Sequence, residues 1–216
     1  MSSGSLDTNS VAVNVASFAS NTATTRALTL GSSTFTSSGA FSVTQSGITF
    51  NANTSSIVFT ASSSLTTIPL TFNNVSWTST SLNVPTISGA NTFNDLSFSA
   101  PASNNFSQLL FGANQTINGT FIISGASPTR RVGVLSTIPQ GTVTLTVNAW
   151  SASPADIDFR GITLSGSASP LTTGTRFGDC GGNANITFDT PKTVYWNLAG
   201  SQNWSDNAWA TYSVGS

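Results

Sequence analysis

The stretch GITFNANTSSIVFT (47–60) is followed by three segments with the same pattern: PLTFNNVSWTS (69–79), NTFNDLSFSAP (91–101) and QTINGTFIISG (115–125). In each segment an apolar residue precedes an asparagine, and a second apolar patch follows a few residues later. Successive pairs lie 22, 21 and 24 residues apart: Phe50-Asn51, Phe72-Asn73, Phe93-Asn94 and Ile117-Asn118. A pattern that recurs about every 20 to 30 residues indicates a solenoid, because each unit buries its apolar face only against the next.

The apolar patches have the length and alternation of β-strands, and no segment has the 3.6-residue period of an amphipathic helix. We therefore predict an all-β fold, a parallel β-helix (β-solenoid) whose turns contain about 20 to 24 residues. Asparagine tolerates the backbone angles of a tight corner. The repeat thus predicts two structural ladders: Phe50, Phe72 and Phe93 stacked inside the solenoid, and Asn51, Asn73 and Asn94 at a shared bend.

The composition fits a folded β-protein and excludes several classes of function. Only 6% of the 216 residues are charged and the net charge is −1, whereas 38% are hydrophobic. Disordered chains combine low hydrophobicity with high net charge, so this chain is expected to fold. It has no basic cluster for phosphate contacts and no apolar run of about 20 residues, so we expect no nucleic-acid binding and no membrane insertion. A single cysteine excludes an internal disulfide.

The regularity of the repeat divides the chain into four parts. Residues 1–10 are expected to form a flexible or partner-bound arm, and residues 11–126 the regular solenoid. Residues 127–150 break the period: RRVGVLST and TVTLTVNAW flank the turn-forming sequence IPQG, which predicts a β-hairpin near residues 131–148. An irregular, longer turn with a bulged corner is the alternative. Residues 151–216 are predicted to add further turns and a Trp-rich C-terminal cap.

The sequence ADIDFR contains the charged residues best suited to catalysis. Alternate residues of a strand share one face, so Asp156, Asp158 and Arg160 are expected to point outward together. Two neighbouring carboxylates act as acid and base in glycoside hydrolysis, which makes these residues weak catalytic candidates. We favour a simpler interpretation, a solvated row of ionic contacts without enzymatic activity. Arg130 and Arg131 are likewise interpreted as a solvated strand start, with partner or polyanion binding as the alternative.

No cofactor or metal site is expected. Zinc sites use cysteine and histidine, and the chain has one cysteine and no histidine. A calcium ion held by Asp179 or Asp189 is the remaining alternative. Cys180 lies in the glycine-rich segment GDCGGN, where no histidine can activate it as a nucleophile and where the glycines favour a tight bend.

Aromatic residues are concentrated near the C-terminus. Trp196, Trp204, Trp209 and Tyr212 are predicted to cap the end of the solenoid, where the last turn otherwise exposes its core. Aromatic rings also stack on sugars, so contact of the three tryptophans with a glycan is the alternative.

Four segments give the chain a resemblance to known proteins: NTFNDLSF (91–98), FGANQTINGTFIISGASPTRR (111–131), SASPADIDFRGITLSGSASPL (151–171) and TRFGDCGGNANITFDTPKTVYWNLAGSQNWSDNAWAT (175–211). Over roughly residues 27–213 the chain resembles a family of β-helical phage virion proteins, the tail fibres, tail spikes and related appendages. Proteins with this pattern often continue beyond AWAT, which leaves both a fragment and a small virion protein as expectations. The resemblance transfers no catalytic residue.

The resemblance implies a structural virion protein on the particle surface or in a tail appendage, in contact with other virion proteins and with a host-surface glycan. It also implies self-association as a trimer or a repeated subunit, an outcome that the low charge favours as well. A carbohydrate-active tail spike that uses Asp156 and Asp158 is the first alternative. The second is a bacterial surface adhesin, which the absence of a secretion signal at the N-terminus disfavours.

Overall fold

The computed structural model describes residues 1–151 and 153–189, together with the backbone of residues 195–196 and 209–210. Throughout this part the chain is all-β and contains no helix. Consequently, no helix of the described residues is long and apolar enough to cross a membrane. The predicted fold class is confirmed: the strands stack as a parallel β-solenoid of about eight turns, with about 22 residues per turn.

The first three turns each contain three short strands. They are β1 (Gly4–Asp7), β2 (Val13–Val15), β3 (Phe18–Ala19), β4 (Arg26–Thr29), β5 (Thr34–Ser37), β6 (Phe41–Val43), β7 (Ile48–Asn51), β8 (Ser56–Phe59) and β9 (Leu65–Thr67).

Each later turn contains two strands, most of them longer. They are β10 (Thr71–Trp77), β11 (Thr86–Ser88), β12 (Thr92–Phe98), β13 (Asn105–Phe111), β14 (Gln115–Ile123), β15 (Arg130–Ser136), β16 (Val143–Trp150), β17 (Ile157–Arg160), β18 (Ile162–Ser165) and β19 (Gly178–Asp179). Two further strands, β20 (Tyr195–Trp196) and β21 (Trp209–Ala210), pair with each other in antiparallel orientation.

Corresponding strands of successive turns pair in parallel and form three sheets. Sheet A has the order β1-β4-β7, sheet B the order β2-β5-β8-β10-β12-β14-β16-β18, and sheet C the order β3-β6-β9-β11-β13-β15-β17-β19. Sheet A ends after the third turn, where the single longer strand β10 replaces two separate strands. Since every turn passes through sheet B and then sheet C, side chains from several turns meet on each outer face.

The interior is filled by columns of apolar side chains, one from the same position of each turn. One column crosses sheet B through paired residues Phe35, Ile57, Val75, Leu96, Phe121 and Trp150. Another crosses sheet C through Phe18, Phe41, Leu65, Ile87 and Phe111. Each turn covers the apolar face of its neighbours, so the burial of apolar surface accumulates along the stack.

The Phe-Asn repeat marks a corner of the solenoid. Phe72 and Phe93 are buried and paired in register, with ring centroids 5.6 Å apart. Phe50 is half-buried, and its ring centroid lies 5.1 Å from that of Phe72. Two residues, instead of one, separate the inward-facing Phe72 and Val75, so the strand changes direction between them.

The asparagines of the repeat use three different acceptors. Each donates a hydrogen bond from Nδ2 to the preceding turn: Asn51 to Oγ1 of Thr29 (3.3 Å), Asn73 to the carbonyl oxygen of Ser55 (3.0 Å) and Asn94 to Oδ1 of Asn74 (3.2 Å). Each amide therefore connects two turns, but these three asparagines do not bond to one another.

The prediction of a β-hairpin near residues 131–148 is wrong. β15 pairs with β13 and β17 in sheet C, whereas β16 pairs with β14 and β18 in sheet B. Both strands present apolar residues to the common core, for example Val134 and Leu145, so each completes the columns of its neighbouring turns. The turn-forming sequence IPQG makes a corner instead. Such a turn signal is local and suits a corner as well as a hairpin.

The first residues belong to the solenoid, which corrects the expectation of a flexible arm over residues 1–10. β1 pairs in parallel with β4 over four residues, from Gly4 opposite Arg26 to Asp7 opposite Thr29. The amino group of Met1 donates a hydrogen bond to the carbonyl oxygen of Ala19. All four residues of β1 are exposed.

Arg26 points into the solenoid at the start of β4 and is 2% exposed. Its guanidinium donates five hydrogen bonds: Nε to Oγ of Ser20 (2.5 Å), Nη1 to the carbonyl oxygens of Thr24 and Ser46 (both 2.9 Å), and Nη2 to those of Ser20 (2.9 Å) and Gln45 (2.8 Å). A guanidinium has five N–H donors, so all are used. Arg26 thereby joins two successive corners of the chain, although no carboxylate of the described residues pairs with it.

Candidate functional site

Charged residues of the described chain are concentrated on the outer side of sheet C near its last strands. We call Arg131, Asp156, Asp158 and Arg176 the ionic cluster. Arg131 binds Asp158 through two hydrogen bonds, from Nε to Oδ2 (2.9 Å) and from Nη2 to Oδ1 (2.5 Å). Arg176 binds Asp156 in the same bidentate manner, from Nε to Oδ1 (2.6 Å) and from Nη2 to Oδ2 (2.7 Å). Nη1 of Arg131 lies 3.4 Å from Oδ1 of Asp156 and so links the two pairs.

The expected outward row of Asp156, Asp158 and Arg160 forms only for the last two residues. Asp156 precedes β17 and has a left-handed backbone (φ 56°), so strand alternation does not apply to it, and its side chain is 1% exposed. Asp158 is half-buried in β17 beside Arg131. Arg160 is exposed, takes no part in the ionic cluster, and donates from Nη2 to the carbonyl oxygen of Ser136 (3.1 Å). The local pattern therefore placed Asp158 and Arg160 correctly on the outer face of β17, and it did not reveal that Asp156 is buried against arginines of two other turns.

The electrostatics of Asp156 suit a counter-ion more than a proton donor. The hydrogen bonds from Arg176 hold the pKa of this carboxyl below its usual value, and the charges of Arg176 and Arg131 act in the same direction. Burial acts in the opposite direction but is outweighed. A general acid in glycoside hydrolysis needs a raised pKa, because it must still carry its proton at working pH. Asp156 is instead ionised, and the two arginines compensate its charge.

The lowered pKa of Asp156 predicts a pH-dependent stability. The ionised form is favoured in the folded protein, so the stabilisation is complete above the unfolded pKa of about 3.9 and is lost as the pH falls through the folded pKa. Between these two values the free energy of unfolding is expected to drop by up to about 1.4 kcal/mol per pH unit on account of this group. Urea denaturation at pH 5, 4, 3 and 2 measures the slope.

Asp156→Asn is the matched variant for this measurement, because it keeps the shape of the side chain and removes its titration. The chain has seven Asp, no Glu and no His, and the six other aspartates are common to both proteins, so the difference between the two slopes reports on Asp156. We expect a shallower decline of stability below pH 4 in Asp156→Asn than in the native protein. Equal slopes in the two proteins would contradict the assignment.

Beside the ionic cluster lies a groove that the sequence analysis missed. This sheet C groove, of about 570 Å³, is lined by Asn104, Asn105, Phe106, Thr129, Arg131 and Cys180, with Asp158 at its side. Phe106 is the second residue of β13, in which Ser107, Leu109 and Phe111 point inward, so its half-buried ring faces outward. The available signal was this alternation: an aromatic residue out of phase with the buried positions of its strand.

Two glycines shape the sheet C groove. A Cβ at Gly133 would lie 2.8 Å from Cζ of Phe106, so the missing side chain lets the ring lie across β15. A Cβ at Gly178 would lie 2.0 Å from Oδ1 of Asp158, so this glycine makes room for the bidentate pair with Arg131. The register brings these five residues together, since Phe106 pairs with Arg131, Gly133 with Asp158, and Asp158 with Gly178.

Cys180 is exposed and lies where the sheet C groove meets a second cleft. That cleft, of about 500 Å³, is formed by the corner 136–142 together with Arg160, Gly161 and the loop around Cys180. Desolvation raises the pKa of the thiol, and the charges of Asp158 and Asp179 raise it further. A raised pKa lowers the thiolate fraction, so the surroundings do not activate Cys180 as a nucleophile.

The two aspartates considered for calcium serve local hydrogen bonds. Oδ1 of Asp179 accepts from the backbone N–H of Gly181 (2.9 Å) and from Nδ2 of Asn183 (2.7 Å). Oδ2 of Asp189 accepts from the backbone N–H of Arg176 (3.2 Å). Among the described residues, no three His, Cys, Asp or Glu side chains are grouped as a metal site requires.

The remaining candidates are Arg130 and the aromatic residues near the C-terminus. Arg130 donates from Nη1 to the carbonyl oxygen of Ala102 (3.2 Å) at the start of β15. The prediction of a cap or glycan contact by Trp196, Trp204, Trp209 and Tyr212 falls outside the described residues, apart from the backbone pairing of β20 with β21.

Comparison of the chain with protein-family models, with curated proteins and with solved structures finds no match. The inference of function therefore rests on the residues, the fold and the resemblance described above.

Proposed function

We propose that the chain is a structural phage virion protein, a β-solenoid component of a tail fibre, tail spike or capsid-surface appendage that lies at the host-facing surface. The observation that carries the proposal is the uninterrupted parallel stack. Eight turns at a strand spacing of about 4.8 Å make a rod roughly 40 Å long. Its eight-stranded sheets hold successive turns in fixed register, which suits a rigid spacer. The sequence resemblance supports the same role.

The ionic cluster supports a role without catalysis. Each carboxylate of the pair Asp156 and Asp158 is engaged by an arginine, so neither is a free acid or base. Ion pairs of this kind join β15, β17 and the segment before β19 across three turns.

The location of the protein tests the proposed function directly. Antibodies raised against the chain are used for immunogold electron microscopy of purified particles of the phage that encodes it. We expect label at a regular position on the tail or capsid surface, and the protein in the particle fraction at fixed stoichiometry by mass spectrometry. Particles that lack both label and protein would refute the virion role.

A carbohydrate-active spike remains the second candidate, because the sheet C groove lies beside Asp158. The purified protein is incubated with capsular polysaccharide and lipopolysaccharide of the host, and glycan length is followed by size-exclusion chromatography. We expect no shortening by the native protein. Shortening that disappears in Asp158→Ala would instead establish the enzymatic alternative.

Self-association is expected for the isolated protein. β1, β2 and β3 end their three sheets, and each has an edge that pairs with no strand of the described residues. Unpaired strand edges favour association, and a net charge of −1 provides little repulsion between copies. Light scattering at micromolar concentration is expected to give a mass of about three times 22.2 kDa or a larger assembly. A monomer mass that is unchanged on concentration would contradict this expectation.

A further inference from the structure

We infer that the sheet C groove is a binding site for an uncharged hexose oligosaccharide, with the ring of Phe106 as its stacking platform. The inference deepens the proposed function, on which it rests, because it names what the host-facing surface recognises. It assigns the contact to sheet C and not to the tryptophans near the C-terminus.

The lining of this shallow, open groove fits a ligand that lies along the surface. Binding pockets of a few hundred Å³ typically combine an apolar or aromatic surface with a few fixed polar groups. Here the aromatic surface is Phe106, whose ring lies against Gly133, where no Cβ displaces it. The negative face of an aromatic ring attracts the weakly positive C–H groups of an apolar sugar face.

The polar groups around the ring can bind hydroxyls. Oδ1 of Asn104 accepts from Oγ1 of Thr129 (2.9 Å), and Oδ1 of Asn105 accepts from the backbone N–H of Phe106 (3.0 Å). These bonds fix both amides by their oxygen atoms. Each amide also has an NH2 group with two N–H donors, which within the described residues are left for a ligand. Sugar hydroxyls can accept hydrogen bonds from these donors.

The charge balance favours a neutral ligand. Arg131 and Asp158 lie side by side at the groove but are paired through two hydrogen bonds, and a further bond runs from Nη2 of Arg131 to the carbonyl oxygen of Arg176 (2.9 Å). Asp156 and Arg176 compensate each other in the same way. The groove thus contains no uncompensated charge of the described residues to attract a uronate, a sialate or a phosphate.

Exposed apolar side chains also lie on the preceding turn, beside β13. Asn83 is buried and its carbonyl oxygen accepts from the backbone N–H of Gln108 (2.8 Å), so the segment around it runs beside β13. Its neighbours Leu82 (54% exposed) and Val84 (37% exposed) then lie on the outer side. A chain of several sugars, more than a single one, matches a surface that extends over successive turns.

The single cysteine makes occupancy of the groove measurable. Cys180 is the only thiol of the chain and lines both the groove and the second cleft, so alkylation by iodoacetamide reports on this junction, and the variants of Phe106 below assign any protection to the groove. The probes are gluco-, galacto- and manno-configured tetrasaccharides without charge, compared with uronic-acid tetrasaccharides at the same concentrations. The reaction is run at pH 9, because the pKa of the thiol is raised. We expect a neutral tetrasaccharide to slow alkylation in a saturable manner.

Three variants connect the protection to the aromatic platform. Phe106→Ala is expected to raise the half-saturation concentration of the tetrasaccharide at least about tenfold, whereas Phe106→Trp is expected to retain protection. Gly133→Ala tilts the ring of Phe106 and is expected to weaken protection without touching the ligand itself. The matched control is Ile122→Ala, which removes an exposed apolar side chain (43% exposed) from sheet B and is expected to leave protection unchanged. Circular dichroism shows that each variant is folded.

The other outcomes overturn the inference. Equal or better protection by the uronic-acid probes would contradict a neutral ligand, and protection by neither set would contradict the site. A lower oligomer mass for Phe106→Ala, without effect on carbohydrate protection, would assign this surface to subunit contacts instead. Delipidated O-antigen and purified capsule, compared in the same assay, distinguish the two sources of such sugars. None of these results depends on immunogold labelling, so the virion role is judged separately.

Discussion

Replacing Arg26 by methionine is expected to lower the free energy of unfolding by about 3 kcal/mol or more, since a buried acceptor left without its donor costs about 1–3 kcal/mol. Methionine fills much of the same volume but donates no hydrogen bond. The carbonyl oxygens of Ser20, Thr24, Gln45 and Ser46 would each lose a bond inside the first turns of the solenoid. The two corners joined by Arg26 are then no longer held together.

Urea denaturation and hydrogen exchange together measure the effect of Arg26→Met. Because turns of a solenoid interact mainly with their neighbours, we expect faster exchange to be concentrated in β1 to β7. The matched control is Arg160→Met: Arg160 is exposed and makes one side-chain hydrogen bond, so the change is expected to stay within about 0.5 kcal/mol. If both substitutions had equally small effects, the five hydrogen bonds of Arg26 would not stabilise the first turns as expected.

Phe72→Ala is expected to destabilise the middle of the stack by about 3–5 kcal/mol, the usual range for truncation of a buried phenylalanine. The side chain is 2% exposed. Its ring centroid lies 5.1 Å from that of Phe50, 5.6 Å from that of Phe93 and 6.1 Å from that of Phe41. Alanine at this position would leave a cavity among rings from three other turns, and the rigid sheets can close it only in part.

Two comparisons test whether burial, rather than loss of an aromatic ring, determines the cost of Phe72→Ala. Phe50 belongs to the same ladder but is half-buried, so Phe50→Ala is expected to cost less. Leu82→Ala removes a side chain that is 54% exposed and should change stability little. Melting temperatures and urea midpoints of the three variants should follow this order. A loss for Leu82→Ala as large as that for Phe72→Ala would contradict the assignment of the core.

Much of the fold could be predicted because the repeat is local and periodic. An apolar residue followed by asparagine at intervals of 21 to 24 residues specifies both the strand pattern and the length of a turn. Stacking of Phe72 on Phe93 then follows, since equivalent positions of successive turns are adjacent in any solenoid. The low charge and the single cysteine are also properties of the composition, and the types of site that they disfavour follow from it directly.

The direction of side chains at corners depends on the backbone, and local patterns did not reveal it. Asp156 continues the alternation of Asp158 and Arg160 in the sequence, but it precedes β17 with a left-handed backbone and is buried by its contacts with Arg176 and Arg131. The sequence IPQG has the residues of a hairpin turn and yet leads from sheet C to sheet B. In both cases the deciding factor is which neighbouring turn offers a partner.

Contacts between residues far apart in the chain were decided by the tertiary structure alone. The amino-acid pattern alone predicts stacked strands and the residues that repeat along them, because the same pattern recurs in successive turns. The register between turns brings Phe106, Arg131 and Asp158 into one groove from three strands. It also surrounds Arg26 with carbonyl oxygens from two corners. These sites are formed by stacking, and only the packing of one turn on the next determines which side chains meet.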